Sequence, residues 1–100
     1  MKLIRAIIQP HREQATLSAL YDVEGVHGIA VTELRCLSRH CAHSGPDINT
    51  QLEFMIPDSV VEPAIAVLQK AAHTGNPGDG RIFVIDIEYA ISIRTNEREA

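Results

Sequence analysis

The apolar positions of this chain repeat in two ways, and the two repeats predict five strands and two helices. Where apolar residues occupy every second position, or form short β-branched runs, we predict strands at residues 3–9, 29–37, 52–56, 82–87 and 92–95. Where they recur every three to four positions, we predict helices at residues 12–23 and 57–73. Residues 38–49 are mostly polar and show neither repeat, so they are predicted to form a loop.

The resulting order β-α-β-β-α-β predicts an α+β, ferredoxin-like fold, with one antiparallel sheet and two helices on one of its faces. The other face would be left bare. Strands one and four are nevertheless apolar on both sides, since Leu3 and Ile7 alternate with Ile4 and Ile8, and residues 82–85 are all apolar. A soluble monomer rarely exposes so large a patch. The pattern therefore predicts a homo-oligomer that covers this face.

Length and composition narrow the possible classes of protein. One hundred residues make a single domain, taken as residues 1–100, and 45% hydrophobic residues are too many for a disordered chain. A formal net charge of -4 without a basic patch argues against a nucleic-acid partner. No apolar run has transmembrane length, and no signal-peptide pattern opens the chain, so we expect a soluble cytoplasmic protein.

The densest chemical signal is the segment 74–81, TGNPGDGR, which lies between a predicted helix and a predicted strand. Its three glycines allow positive φ angles and let a ligand approach the main chain closely. Backbone N–H groups that point outward beside an arginine, here Arg81, form a cradle for phosphate oxygens. The same residues are also compatible with a plain helix C-cap at Gly75 followed by a tight turn.

A second cluster of chemistry-bearing residues lies where the second predicted strand meets the loop. Its members, which could bind Zn²⁺ or Cu⁺, are Cys36, His40, Cys41 and His43. Their spacing matches none of the usual zinc motifs, and the alternative is a small buried thiol followed by a solvated polar loop. No essential metal is predicted. No set of nucleophile, base and orienting group is visible, so we do not expect an enzyme.

Four segments together resemble the nitrogen-regulatory P-II signal-transduction family. They are TGxxGDGRIFV at residues 74–84, AIIxP at 6–10, VTEL at 31–34 and AIxIRT at 90–95. The resemblance implies a homotrimer with adenine nucleotides in the clefts between subunits. It also implies that the glycine segment and a basic residue from the neighbour's C-terminal segment, here residues 88–100, hold the phosphates. A loop after the second strand would dock on a target protein, often a transporter.

The resemblance implies particular nucleotide-binding residues in this sequence. Those that would hold the phosphates are Gly78, Asp79, Gly80, Arg81 and, from the neighbour, Arg94. Arg39 matches an arginine at the root of the docking loop, Met55 matches a position whose backbone contacts adenine, and Ile7 matches a position that lines the pocket.

Departures from the family pattern change the expected ligands. The family's root motif Gly-Phe-Gly-Arg-Gln stands here as residues 36–40, CLSRH, and Ser92 occupies the place of a second phosphate-binding arginine. The loop is also shorter and lacks the tyrosine that some members modify. These departures argue against 2-oxoglutarate sensing and uridylylation, and they favour AMP or ADP over ATP. We expect a regulator of a transporter, for example for bicarbonate; the alternative is a metal-tolerance trimer that senses Zn or Cu through the Cys/His cluster.

Overall fold

The computed structural model describes residues 1–36 and 47–99, which form two helices and six strands. In chain order these are β1 (Lys2–Ile8), α1 (Glu13–Tyr21), β2 (Ala30–Cys36), β3 (Asp47–Ile56), α2 (Val61–Ala72), β4 (Arg81–Asp86), β5 (Ala90–Ile91) and β6 (Arg98–Glu99). A short 3-10 turn leads into each helix, at Pro10–Arg12 and Asp58–Val60. Among the described residues, no helix is long and apolar enough to cross a membrane.

The first four strands form one sheet in the order β2-β3-β1-β4, and every neighbouring pair is antiparallel. Of the two central strands, β1 leads into the first helix and β3 leads into the second. This arrangement confirms the predicted α+β, ferredoxin-like fold.

The hydrophobic core lies between one face of the sheet and the two helices. Alternation on the central strands points one set of side chains to this face, none more than 3% exposed: Ile4, Ala6, Ile8, Leu52, Phe54 and Ile56. The helices contribute Leu20 from α1 and Ala64 and Leu68 from α2. The two-residue repeat of β1 and β3 and the helical repeat of α2 thus meet in one layer.

The opposite face of the sheet, called the open face below, is not covered by any helix of residues 1–36 and 47–99. Its rows across β3, β1 and β4 are Met55–Leu3–Ile85, Glu53–Arg5–Phe83 and Gln51–Ile7–Arg81. Met55, Phe83 and Ile85 remain 36% to 41% exposed. The predicted apolar positions of strands one and four, Leu3, Ile7, Phe83 and Ile85, lie on this face, together with the polar residues Arg5, Glu53, Gln51 and Arg81.

Two of the five predicted strands were wrong, the third in where it begins and the fifth in its structure. The third strand begins at Asp47 rather than at 52, because its polar half pairs with β2 from Asp47 onward and also with β1 from Thr50 onward. Thr50 is 4% exposed, and its hydroxyl donates to Glu13 at 3.3 Å. Such a strand lacks apolar alternation, so the sequence pattern missed it.

The predicted fifth strand at residues 92–95 is a turn. Strands β5 and β6 flank it as a two-stranded hairpin, in register at Ala90–Glu99 and Ile91–Arg98. The N–H of Ser92 donates to the Glu97 carbonyl at 2.9 Å, and the N–H of Asn96 donates to the Ser92 carbonyl at 2.7 Å. These turn hydrogen bonds compete successfully with the β propensity of the segment.

Candidate functional site

The glycine-rich segment, residues 74–80, lies directly against the end of β1. Gly80 has a φ of +101°, and a Cβ at this position would lie 1.7 Å from the carbonyl oxygen of Ile7. Only glycine permits both the backbone angle and the contact. The segment, called the glycine loop below, is thereby held against a central strand of the sheet.

The carboxylate of Asp79 holds the loop from inside. It accepts hydrogen bonds from the N–H groups of Thr74 and Gly75, both at 2.9 Å, from Nε2 of Gln9 at 3.0 Å and from the Thr74 hydroxyl. The Thr74 hydroxyl and then its N–H are the main reasons that the pKa of Asp79 is lowered to about 2. Asp79 is therefore ionised at neutral pH, and its side chain organises the loop.

Gly78 presents the outer surface of the same loop. Its φ is +95°, and nothing lies within 4 Å of a Cβ placed there, so the space on the Cβ side of Gly78 is open. Among the described residues, the N–H groups of Gly78 and Gly80 have no hydrogen-bond partner. The loop therefore has a pinned inner side and an outer side with backbone donors available to a ligand.

A cleft of about 620 Å³ opens beside the loop on the open-face side of the sheet. Its lining joins the ends of three strands to the glycine loop: Ile7, Cys36, Asn49, Gly78, Gly80 and Arg81 contribute. Arg81 is exposed and faces Ile7 in the strand register, so its guanidinium lies on the same face as the cleft. The combination offers an apolar wall, backbone donors and a cation.

A smaller cleft of about 320 Å³ lies on the helix side of the loop. Its lining includes the apolar residues Leu68, Ala72 and Ile82 and His73 at the end of α2, and it shares Asp79, Gly80 and Arg81 with the open-face cleft. The free N–H of Gly78 does not line it. We therefore take the open-face cleft as the candidate anion site.

The structure brings five of the eight predicted nucleotide-binding residues together: Ile7, Gly78, Asp79, Gly80 and Arg81. Met55 shares the open face but lies farther along β3. It is four residues from Gln51, the partner of Ile7, and this separation corresponds to about 13 Å along the strand. Arg94 is exposed in the turn between β5 and β6 and does not line the cleft of its own chain. Arg39 lies outside the described residues.

Three residues at the site were missed by the sequence analysis. Gln9 donates to Asp79, while Asn49 and Asn76 line the cleft. Asn49 was assigned to a loop; its place on β3, opposite Leu34, follows only from the pairing of that strand. The alternative interpretation of Gly75 as a helix C-cap is not supported, because α2 ends at Ala72 with His73 in an extended conformation.

The metal alternative is not tested by these contacts. Within residues 1–36 and 47–99, no group of three or more His, Cys, Asp or Glu side chains is arranged to hold a metal ion. Cys36 is a half-buried free thiol in the open-face cleft. The other three predicted ligands, His40, Cys41 and His43, lie outside the described residues, so the metal site stays a prediction.

Comparison with known proteins gives a consistent result over nearly the whole chain. The family model for nitrogen regulatory protein P-II matches residues 1–97. The chain is 40% identical to the nitrogen regulatory protein P-II of Azospirillum brasilense and 42% identical to that of Rhodospirillum rubrum, each over 98% of this chain and 96% of the relative. It is 34% identical to nitrogen regulatory protein P-II 1 of Escherichia coli, over 99% of this chain and 96% of that protein.

Proposed function

This chain belongs to the nitrogen regulatory protein P-II family, and on that basis we propose that it is a non-catalytic regulator that binds an adenine nucleotide, AMP or ADP in preference to ATP. The glycine loop and Arg81 would hold the phosphates. The observation that carries the proposal is the open backbone of Gly78 beside Arg81, in a loop pinned by Gly80 and Asp79.

The loop is suited to phosphate because its own hydrogen bonds already fix its shape. The Asp79 carboxylate occupies the N–H groups of Thr74 and Gly75, while the N–H of Asn76 donates to the Thr74 hydroxyl oxygen at 3.2 Å. The N–H groups of Gly78 and Gly80 remain without a partner among the described residues. A ligand that meets a preformed loop does not have to order it, and this saving in conformational entropy appears as affinity.

The preference for fewer phosphates follows from the number of cations. Among residues 1–36 and 47–99, Arg81 is the cation that lines the cleft of one chain, and a neighbour would add Arg94, whereas Ser92 cannot add another. Each missing charge-assisted hydrogen bond is worth about 1.5–3 kcal/mol, which is roughly ten- to a hundredfold in affinity. A third phosphate group would therefore find few partners.

We propose a homotrimer with the open faces turned inward. The apolar side chains of that face need a cover, and Arg94 would reach a cleft only in a neighbouring subunit. The nucleotide would then bind between two chains. This accounts for a cleft that, in one chain, has phosphate-binding groups but leaves Met55 at a distance.

The loop between β2 and β3 would carry the regulatory effect of the bound nucleotide to the target protein. Cys36 at the end of β2 and Asn49 near the start of β3 both line the cleft, so a bound ligand contacts both ends of the connection. A nucleotide that favours one arrangement of these ends would shift the loop between target-binding states. We propose that the target is a transporter, such as one for bicarbonate, and that the regulator acts from the cytoplasm.

Calorimetric titration of the purified protein with AMP, ADP and ATP tests the proposal. We expect AMP and ADP to bind, ATP to bind more weakly, and Arg81→Ala to lower affinity about tenfold or more. Arg35→Ala is the matched control, since Arg35 is an exposed arginine on the other face of the sheet and should bind as wild type. No heat with any adenylate would refute nucleotide binding, and equal or tighter ATP binding would refute the preference.

A further inference from the structure

An ion pair lies at the centre of the open face. Nε of Arg5 donates to Oε2 of Glu53 at 2.9 Å, between residues that face each other on the two central strands. The two side chains are 41% and 32% exposed. Most of its neighbours along and across the strands are apolar, among them Leu3, Met55, Ile7 and Phe83, while Gln51 borders Glu53 on β3. It lies at the centre of a largely apolar surface.

Covering this face would remove water from the pair. A buried ion pair is costly unless its remaining donors and acceptors also find partners. Arg5 uses Nε alone, and its two terminal nitrogens, like Oε1 of Glu53, have no partner among the described residues. The molecule that covers the face must therefore bring an acceptor for Arg5 and a donor for Glu53 to nearly the same place.

We infer that a second copy of this chain supplies both, with Arg5 of one copy beside Glu53 of the next, and that the pair selects which chains can share an assembly. This inference rests on the proposed oligomer. The patch carries one positive and one negative charge, so copies related by rotation present opposite charges to each other. In a closed ring the charges alternate, and each Arg5 gains an acceptor in the Glu53 of the neighbouring copy.

The same arrangement excludes other chains. A P-II-like chain with charges of one sign at both positions would bury an unpaired charge on joining the ring, and this cost is the usual source of selectivity in such interfaces. The apolar residues around the pair supply the affinity. Arg5 and Glu53 determine which chains can join the assembly.

Charge reversal with matched controls tests the inference. Arg5→Glu and Glu53→Arg are each compared with a variant of equal charge change on the exposed side of α2, Lys70→Glu and Glu62→Arg respectively. Sedimentation velocity should show self-association at least about thirtyfold weaker for the two open-face variants. The α2 variants should assemble as wild type.

The decisive measurement is a 1:1 mixture of the Arg5→Glu and Glu53→Arg chains, examined by native mass spectrometry. We expect mixed assemblies with two copies of one variant and one of the other, because two of the three contacts in such a trimer join opposite charges, whereas all three contacts in a trimer of one variant join like charges. Single variants that assemble as wild type, or a mixture that gains nothing, would overturn the inference. If either variant fails to fold, the double variant Arg5→Met/Glu53→Met decides: it should assemble at least as well as wild type, and a folded monomer would overturn the inference.

Nucleotide calorimetry on the same preparations separates this inference from the proposed function. If wild type assembles and binds AMP or ADP while Arg5→Glu still assembles, only the role of the ion pair fails. If wild type assembles and the charge variants behave as expected but no adenylate binds, the nucleotide function fails and the ring contact stands. A wild-type monomer at all concentrations overturns the inference and the proposed trimer together.

Discussion

Replacing Gly80 by alanine should destabilise the protein more than the same change at Gly78, although both glycines have similar backbone angles. Their φ values are +101° and +95°, so each alanine pays about 1–3 kcal/mol for a strained conformation. The difference lies in the space around the added methyl group. At Gly78 nothing lies within 4 Å, whereas at Gly80 the Cβ would lie 1.7 Å from the carbonyl oxygen of Ile7.

The contact at Gly80 cannot be relieved cheaply. Ile7 belongs to a central strand and pairs with Gln51 on one side and Arg81 on the other, so moving its carbonyl disturbs two ladders. Overpacking of this kind costs about 1–3 kcal/mol. The Gly80→Ala variant should therefore lose about 1–3 kcal/mol more than Gly78→Ala, which for a chain of this size corresponds to a melting temperature lower by at least about 4 °C.

Urea unfolding followed by circular dichroism, at one fixed protomer concentration, measures both variants under the same conditions. The reduced conformational freedom of the unfolded chain is common to both alanine substitutions and cancels in the comparison. Equal free energies of unfolding for the two variants would refute the argument. It would mean that the glycine loop is not held against β1 by this contact.

Three further predictions follow from single side chains. Since the folded-state pKa of Asp79 lies at about 2, below the ordinary 3.8, its contribution to stability is present above about pH 4 and is lost as the pH falls towards 2. The variant Asp79→Asn should therefore flatten this part of an acid-unfolding curve. An unchanged curve would contradict the role of Asp79. Leu68→Ala, at a position 1% exposed in the core, should cost about 2–5 kcal/mol in urea unfolding, whereas Lys70→Ala on the exposed side of the same helix should stay within about 0.5 kcal/mol. The variant Cys41→Ser should keep the calorimetric affinity for AMP or ADP, and zinc or copper binding that disappears in this variant would favour the metal-tolerance alternative.

The regular parts of the fold could be predicted from sequence because each has a repeat that matches its own geometry. The alternation in β1 and the helical repeat of α2 identify elements that bury one side. The polar first half of β3 has no such repeat. It is a strand because β2 pairs with it from Asp47 and β1 joins from Thr50, and pairing partners are not visible in a local pattern.

The candidate site, like the fold, could be predicted from the sequence only in part. The segment TGNPGDGR marks a loop able to bind an anion, and the family resemblance assigns it to phosphate. The sequence did not indicate that the Asp79 carboxylate would turn inward to Thr74 and Gly75, or that Gln9 would support it from 70 residues away. Such contacts depend on where β1 ends relative to the loop.

By itself, the sequence determined the fold class and the apolar positions on a second face, because these depend on periodicity along the chain, and its motifs identified the family. Only the tertiary structure decided which side of the glycine loop is free and which is pinned. It also decided that the centre of the open face carries a paired arginine and glutamate. Both are consequences of strand register, which brings Gly80 onto Ile7 and Arg5 opposite Glu53 across long separations in the chain.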